Sequence, residues 1–309
     1  MLSEVLESLA VERGGVYVDC TMGGAGHSAA ILEQLPWGSL VAIDRDLDAV
    51  LAGSERLKAV EKRAETNYFV VHSDYAELGR ILSEYKLNKI DGLIADLGVS
   101  SVQLDRAERG FSYRQAGPLD MRMDVSQTLT AADVVNTYAE EELIKIFTSY
   151  GEERYAKRVA ANICRRRQER PFSTTTELSE VIERSLPSHS RREKHPAKRC
   201  FQALRIEVNG ELKQLENLLA QIPSIVNRQA RICFLTFHSL EDRIVKQTFR
   251  SWENPCNCPK NMPCVCGAKP LGKIVNRKGM VASKPELQQN RRSHSARLRC
   301  FEFGENEDE

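Results

Sequence analysis

The sequence predicts an α/β protein with a doubly wound, largely parallel sheet and an inserted helical region. Three observations predict it. Four short apolar runs alternate with helix-like segments in the first hundred residues. An aspartate ends or closely follows each run. Strand-like text then stops between residues 105 and 200 and returns near the end of the chain. Parallel neighbours need a crossover, usually a helix, so a strand–helix rhythm implies β-α-β units with helices on both sheet faces.

The elements follow in order. Met1 to about Gly15 carries acid on an amphipathic helix pattern, unlike the basic start and apolar centre of a signal peptide. Val16-Tyr17-Val18-Asp19-Cys20 reads as a buried strand, followed by a Gly-rich turn and a helix through Ile31, Leu32 and Leu35. Ser39 to Ile43 is a second strand ending at Asp44, and residues 46–60 form a helix. Asn67 to Val71 is a third strand, with a helix near 76–85, and Ile90 to Ala95 is a fourth, ending at Asp96. From 105 to 200 the periodicity is helical, as in Leu143, Ile144 and Phe147, with helix-start signals at Ser173 and Thr176. One long helix is expected from Phe201 to Ile222, then strands at Arg231 to Phe237 and Ala296 to Phe303. The predicted organisation is 1–104 for the first part of the sheet domain, 105–200 for the helical insertion and 201–309 for the second part.

Charge sharpens this division. The chain has 309 residues, 44 Lys+Arg against 43 Asp+Glu, and a net charge of +1. No apolar run approaches the ~18–20 residues a membrane helix needs, so a soluble cytoplasmic protein without a membrane partner is expected. Residues 1–150 hold 14 basic and 24 acidic side chains, a net of −10, whereas 154–205 hold 14 and 5, a net of +9. Residues 269–299 hold 9 and 1, a net of +8. Arg165-Arg166-Arg167, Arg191-Arg192 and Lys198-Arg199 make the first basic stretch a candidate phosphate-binding surface, since the planar Arg fork suits phosphate oxygens. The plainer reading is a set of solvated helix faces.

The turn Asp19-Cys20-Thr21-Met22-Gly23-Gly24-Ala25-Gly26-His27-Ser28 joins the first strand to the first crossover helix. Its glycines do not fit G-x-G-x-x-G, which argues against a dinucleotide and a nicotinamide oxidoreductase. Asp44 lies 18 positions after Gly26, where an acid can accept hydrogen bonds from a ribose diol. Asp19, Asp44, Asp74 and Asp96 are all expected at the carboxyl edge of the sheet, where such folds bind ligands. Each could instead be a helix cap. Together with the turn they point to an adenosine-type ligand without a pyrophosphate cradle, and S-adenosylmethionine fits that better than NAD.

At these residues the sequence resembles the bacterial ribosomal RNA small-subunit methyltransferase H family, also called MraW. The matching stretches include YVDCTMGGAGHS, AIDRD, DGLIADLGVSSVQLDRAERGFSYRQAGPLDMRMD, YGEERYAKRVA, HPAKRCFQALRIEVNGEL, FHSLEDRIVK and NRRSHSARLR, from about residue 16 to 300. The resemblance implies a class I S-adenosylmethionine-dependent methyltransferase that methylates N4 of a cytosine in the decoding region of 16S rRNA, with the small ribosomal subunit as partner. It carries cofactor contacts onto Ala25, Gly26, His27, Asp44, Tyr75, Asp96 and Gln103. Ala25 stands where the family has Gly, and Tyr75 where it usually has Phe. The family commonly has a His-x-Pro-Val segment ahead of the first helix, and the sequence as given begins at Met1-Leu2-Ser3.

An exocyclic amine is a weak nucleophile, and it needs an acceptor for its N–H beside the methyl donor. Asp96 is the expected acceptor, with cofactor contact alone as the other reading. Candidate substrate contacts are Phe111, Arg114 and Arg122, the helical-region arginines Arg165 and Arg166, and His238. His238 could equally be structural, and Arg122 could pair with Asp120. Other functions weighed are a DNA amino-methyltransferase, disfavoured by the missing Pro-Pro-aromatic motif, and a non-catalytic ribosome-assembly protein.

Nine cysteines occur. Five are dispersed, as reduced thiols would be. The other four form Cys256-x-Cys258-x5-Cys264-x-Cys266, within reach of one tetrahedral structural zinc, with free thiols or a regulatory disulfide as the alternative.

Overall fold

A computed structural model describes residues 1–61, 66–187, 196–256, 258, 259, 261 and 265–304. Arg191, Arg192, Cys264 and the acidic residues after 304 lie outside the described residues. The chain divides into two units, 1–98 with 212–309 and 99–211.

The first unit holds the sheet. Its elements are α1 (Leu2–Leu9), β1 (Val16–Asp19), α2 (Gly26–Gln34), β2 (Ser39–Asp44), α3 (Leu47–Glu61), β3 (Asn67–His72), α4 (Leu78–Glu84) and β4 (Ile90–Asp96). The helical unit follows with α5 (Ser101–Asp105), α6 (Ala131–Thr137), α7 (Glu140–Ser149), α8 (Ala156–Glu169), α9 (Thr175–Ser185) and α10 (Lys198–Asn209). The sheet unit resumes through α11 (Glu211–Ile225), β5 (Val226–Thr236), α12 (Ser239–Glu253), β6 (Gly272–Ile274), β7 (Met280–Val281), α13 (Lys284–Gln289) and β8 (Arg297–Phe303). Among the described residues no helix is long and apolar enough to cross a membrane.

The strand order is β3-β2-β1-β4-β5-β8-β6, with β7 also on β8. Neighbours from β3 to β5 run parallel, and β8 runs antiparallel to β5, β6 and β7. This is the expected doubly wound α/β class, and alternation along the strands explains it. Val18, Val41, Leu93 and Ile232 point to one face with Leu78, Leu218, Ile222 and Phe249. Tyr17, Leu40, Ile94 and Cys233 point to the other with Val5, Leu9, Ile31 and Leu57. Each such side chain contributes roughly 1.5–3 kcal/mol when fully buried. Phe249, Trp252, Phe301 and Phe303 stack with ring centroids 5.1–5.4 Å apart and close the antiparallel end.

The helical unit has its own core, including Leu119, Val134, Phe147, Val159, Ile163, Leu178, Phe201 and Leu204. Its bounds differ from the expected 105–200. Val99 and Leu104 already pack against this core, and α10 buries Phe201, Leu204 and Val208 in it. The single helix expected from Phe201 to Ile222 is two helices, because Gly210 adopts the left-handed conformation (φ 62°, ψ 26°) and its N–H closes on Ile206 O. The last helix-start signal also moves. Thr174, not Ser173 or Thr176, is the N-cap of α9, in a reciprocal capping box with Glu177.

Candidate active site

The site is built where β1, β2, β4 and β5 end. β1 and β4 are sequence-distant neighbours, and chains diverge from between them to opposite faces, leaving a crevice for a ligand. The turn after β1 is laced to its neighbours. Cys20 N–H donates to Ile94 O and Met22 N–H to Ile43 O, both at 2.8 Å. Thr21 Oγ1 accepts from Asp96 N–H at 2.6 Å. Gly23 takes φ +50°. A Cβ on Gly24 would meet nothing within 4 Å, so backbone faces open space there. Ala25 sits in the left-handed region (φ 55°, ψ 32°) ahead of α2, a conformation costing a non-glycine residue roughly 1–2 kcal/mol.

The four aspartates divide by role. Asp19 is fully buried, accepting from Ser28 Oγ at 2.6 Å and from Thr21 N–H at 3.1 Å. It braces the turn and does not line an open edge, which corrects the expectation for that residue. Burial pushes its carboxyl up to about 6. Asp44 accepts from Gly23 N–H at 2.7 Å and Asp46 N–H at 2.8 Å, so it holds the turn while keeping further lone pairs. Burial pushes it up to about 6 as well, against those two hydrogen bonds. Asp74 caps a short 3-10 turn through Ala76 N–H at 2.8 Å, with Arg45 Nη1 3.9 Å away. Tyr75 begins that turn and is half-buried against the core beside it.

Asp96 differs from the others. Its Oδ1 is buried with no hydrogen-bond partner, and its Oδ2 lies 3.9 Å from His27 Nδ1. Its side chain is 33% exposed, so the carboxylate is dry on one side and open on the other. Burial pushes it up to about 6, with His27 opposing. His27 is held below its ordinary value by burial, with Asp96 opposing, so it is mostly neutral at pH 7. An unsatisfied buried carboxylate oxygen beside an open glycine turn suits a ligand that brings hydrogen-bond donors or positive charge. The chain's residues therefore fit a sulfonium nucleoside.

The remaining expected residues lie on other elements. His238 is the N-cap of α12, with its side chain 8% exposed and Nδ1 accepting from Glu241 N–H at 3.4 Å. Its Nε2 lies 3.0 Å from Glu241 Oε1, and Glu241 Oε2 accepts from Phe237 and His238 N–H groups. Nδ1 therefore caps the helix, while Nε2 is buried and makes no hydrogen bond despite its closeness to Glu241, so the structure supplies His238 with a structural role without removing it as a candidate substrate contact. The spacing of His238 and Glu241 is that of a capping box, a signal available in the sequence.

In the helical unit, Gln103 Oε1 accepts from Ser100 N–H at 2.9 Å and caps α5. Phe111 is 6% exposed and belongs to the core, which removes it as a stacking platform. Arg122 binds both oxygens of Asp120 at 2.8 Å and donates to the carbonyls of Val125 and Gln127, so it clamps its own loop. Arg114 is exposed, 5.7 Å over the Tyr113 ring. Arg165 is exposed, while Arg166 lies 5.4 Å over Phe172 and Arg167 donates to Val135 O at 2.8 Å. Consecutive residues diverge by about 100° around a helix, so the three arginines do not form one surface. Sequence reasoning missed Asn209, which is buried and bonds Met121 O, Arg205 O and Met123 N–H at 2.7–2.9 Å.

The Sγ atoms of Cys256, Cys258 and Cys266 lie within 4.8 Å of one another, and Cys264 is outside the described residues. Cys20, Cys200, Cys233 and Cys300 are buried thiols.

The sequence model of the MraW methylase family matches residues 1–304. The chain is 50% identical over 303 residues to the ribosomal RNA small subunit methyltransferase H of Carboxydothermus hydrogenoformans, covering 98% of this chain and 96% of that one. It is 48% identical over 305 residues to the protein of the same name from Lachnospira eligens, with the same coverage. It is 48% identical over 301 residues to that of Clostridium botulinum strain Kyoto, covering 97% and 96%. A match of that extent, on a doubly wound sheet with a glycine turn and an unpartnered carboxylate at its crevice, makes this chain a member of the MraW methylase family.

Proposed function

We propose that this chain transfers a methyl group from S-adenosylmethionine to the exocyclic N4 of a cytosine in the decoding region of 16S rRNA, within the small ribosomal subunit. The observation that carries the chemistry is Asp96, with one buried unpartnered oxygen and one exposed side at the end of β4. The relatives' names support ribosomal RNA of the small subunit as substrate.

S-adenosylmethionine supplies an electrophilic methyl on a positively charged sulfur. Gly24, Gly26, Asp44 and Tyr75 would hold its adenosine part. Asp96 accepts an N–H of the cytosine amine, which localises the nitrogen lone pair for in-line attack. Asp96 would take the proton that the amine nitrogen gives up as it gains the methyl group. A carboxyl near 6 is ionised at neutral pH and still a stronger base than an ordinary aspartate. His27 steadies Asp96 as a positioning residue. Arg114 and Arg165, both exposed, are the candidates for RNA phosphates.

The test is to incubate the full chain with methyl-labelled S-adenosylmethionine and small subunits lacking the modification, then map the label. Label on N4 of one decoding-region cytosine is expected. Label on DNA, on another base, or none at all would overturn the assignment.

A further inference from the structure

The segment between α12 and β6 is tied at its base, and its described residues lie at the surface. Leu271 N–H donates to Trp252 O at 2.8 Å and Gly304 N–H to Leu271 O at 2.9 Å. Ile274 N–H donates to Glu253 Oε1 at 3.0 Å, and Arg277 Nη2 lies 3.1 Å from Glu253 Oε2. Between those ties no described residue from 254 to 270 is buried, and Val265 is 89% exposed. Ordering a backbone costs roughly 1–2 kcal/mol per residue, and the described residues of this stretch bury no apolar side chain to offset it. Loops longer than about 12–15 residues without regular structure need a reason to exist in a compact unit.

The cysteines supply one. Cysteine is among the residues most often buried, yet Cys256 and Cys266 are exposed and Cys258 is half-buried. Their three Sγ atoms nonetheless converge within 4.8 Å. No other such group of three His, Cys, Asp or Glu ligand atoms occurs among the described residues. A tetrahedral zinc with Zn–S bonds of about 2.3 Å sets sulfurs about 3.8 Å apart, a small adjustment for exposed side chains.

We infer that Cys256, Cys258 and Cys266 bind a structural zinc ion that holds the loop between α12 and β6 in one conformation. Thiolate donors select soft or borderline metals, and zinc requires no electron transfer to bind. Each thiol releases its proton to solvent as its sulfur–zinc bond forms, and the metal stays divalent. No part of the ligand set rests on Cys264, which lies outside the described residues. The site is remote in sequence from the strand-end aspartates and takes no part in methyl transfer. It stands or falls separately from the proposed reaction.

The experiment uses the full-length chain, purified under reducing conditions with zinc in the medium. Metal analysis should give about one zinc per chain, and less than about a tenth in the Cys256→Ser/Cys258→Ser double variant. Cobalt(II) exchanged into the wild-type chain should show a thiolate-to-metal charge-transfer band and tetrahedral d–d bands. That readout does not depend on whether the variant folds. Chelation should speed proteolytic cleavage between residues 254 and 271. A reduced wild-type chain that retains no zinc from excess metal and gives no cobalt band overturns the site. So does a chain whose mass falls by two hydrogens because two of these thiols pair as a disulfide.

Discussion

Replacing Asp96 by Asn tests the centre of the proposed chemistry. The amide is nearly isosteric, so the backbone contact between Asp96 N–H and Thr21 Oγ1 remains. What disappears is the charge on a carboxylate whose Oδ1 has no protein partner. Loss of a positioned proton acceptor typically costs 10²–10⁴-fold in rate, roughly 3–5 kcal/mol of barrier. The wild-type pH profile gives a second handle. The active form of Asp96 is the ionised one, and its carboxyl titrates at about 6. Bound S-adenosylmethionine places a positive sulfur beside the carboxylate and favours its ionised form, so at saturating cofactor activity should hold through pH 6 and fall only at lower pH. Asp44 also titrates at about 6, so the measurement must be made at saturating S-adenosylmethionine, where its effect on cofactor binding is suppressed. The assay is the initial rate of label transfer into small subunits across pH, for wild type and D96N. A D96N enzyme within about tenfold of wild type would refute the role of Asp96.

Three other outcomes follow from the same geometry. Asp19→Asn should stabilise the chain at neutral pH: the folded carboxyl titrates at about 6 against 3.8 unfolded, so stability is lost as pH rises through that window, by about 3 kcal/mol at most. Its melting temperature should exceed wild type at neutral pH and match it near pH 4; an equal loss at both would show that Ser28 and Thr21 need two acceptor oxygens, whatever the charge. Asn209→Ala breaks three hydrogen bonds, two of them buried, one of those to the carbonyl of Met121, held at φ 61°. It should lower stability by roughly 3 kcal/mol or more in denaturant titration, and an unchanged midpoint would contradict it. Arg165→Ala should reduce the salt dependence of RNA binding by about one phosphate contact, whereas Arg167→Ala, which loses its bond to Val135 O, should act mainly on stability. Equal salt slopes in wild type and R165A would remove Arg165 from the interface.

Much of this protein can be read along the chain because local chemistry decides it. Apolar runs such as Ser39 to Ile43 and Ile90 to Ala95 become strands because both sheet faces are covered, and the aspartates ending them fall at one edge by topology alone. The glycine turn and Asp44 are likewise local, twenty-odd residues apart on adjacent strands. Partnership between distant side chains is different. Arg165, Arg166 and Arg167 form one basic run in the sequence, yet the helix leaves Arg165 exposed and turns Arg166 to Phe172 and Arg167 to Val135 O. Arg122, His238 and Phe111 looked available for RNA; neighbours two and three residues away, Asp120 and Glu241, engage the first two, and only Phe111 is taken up by tertiary packing, in the helical core. Asp19 and Asp96 carry the same side chain at equivalent strand ends. Ser28 and Thr21 satisfy the first, while the second keeps an oxygen without a donor. Residue type and spacing place a carboxylate at a strand end, but its desolvation and its hydrogen-bond partners depend on atoms brought together from across the fold. Those two quantities separate a brace from a base.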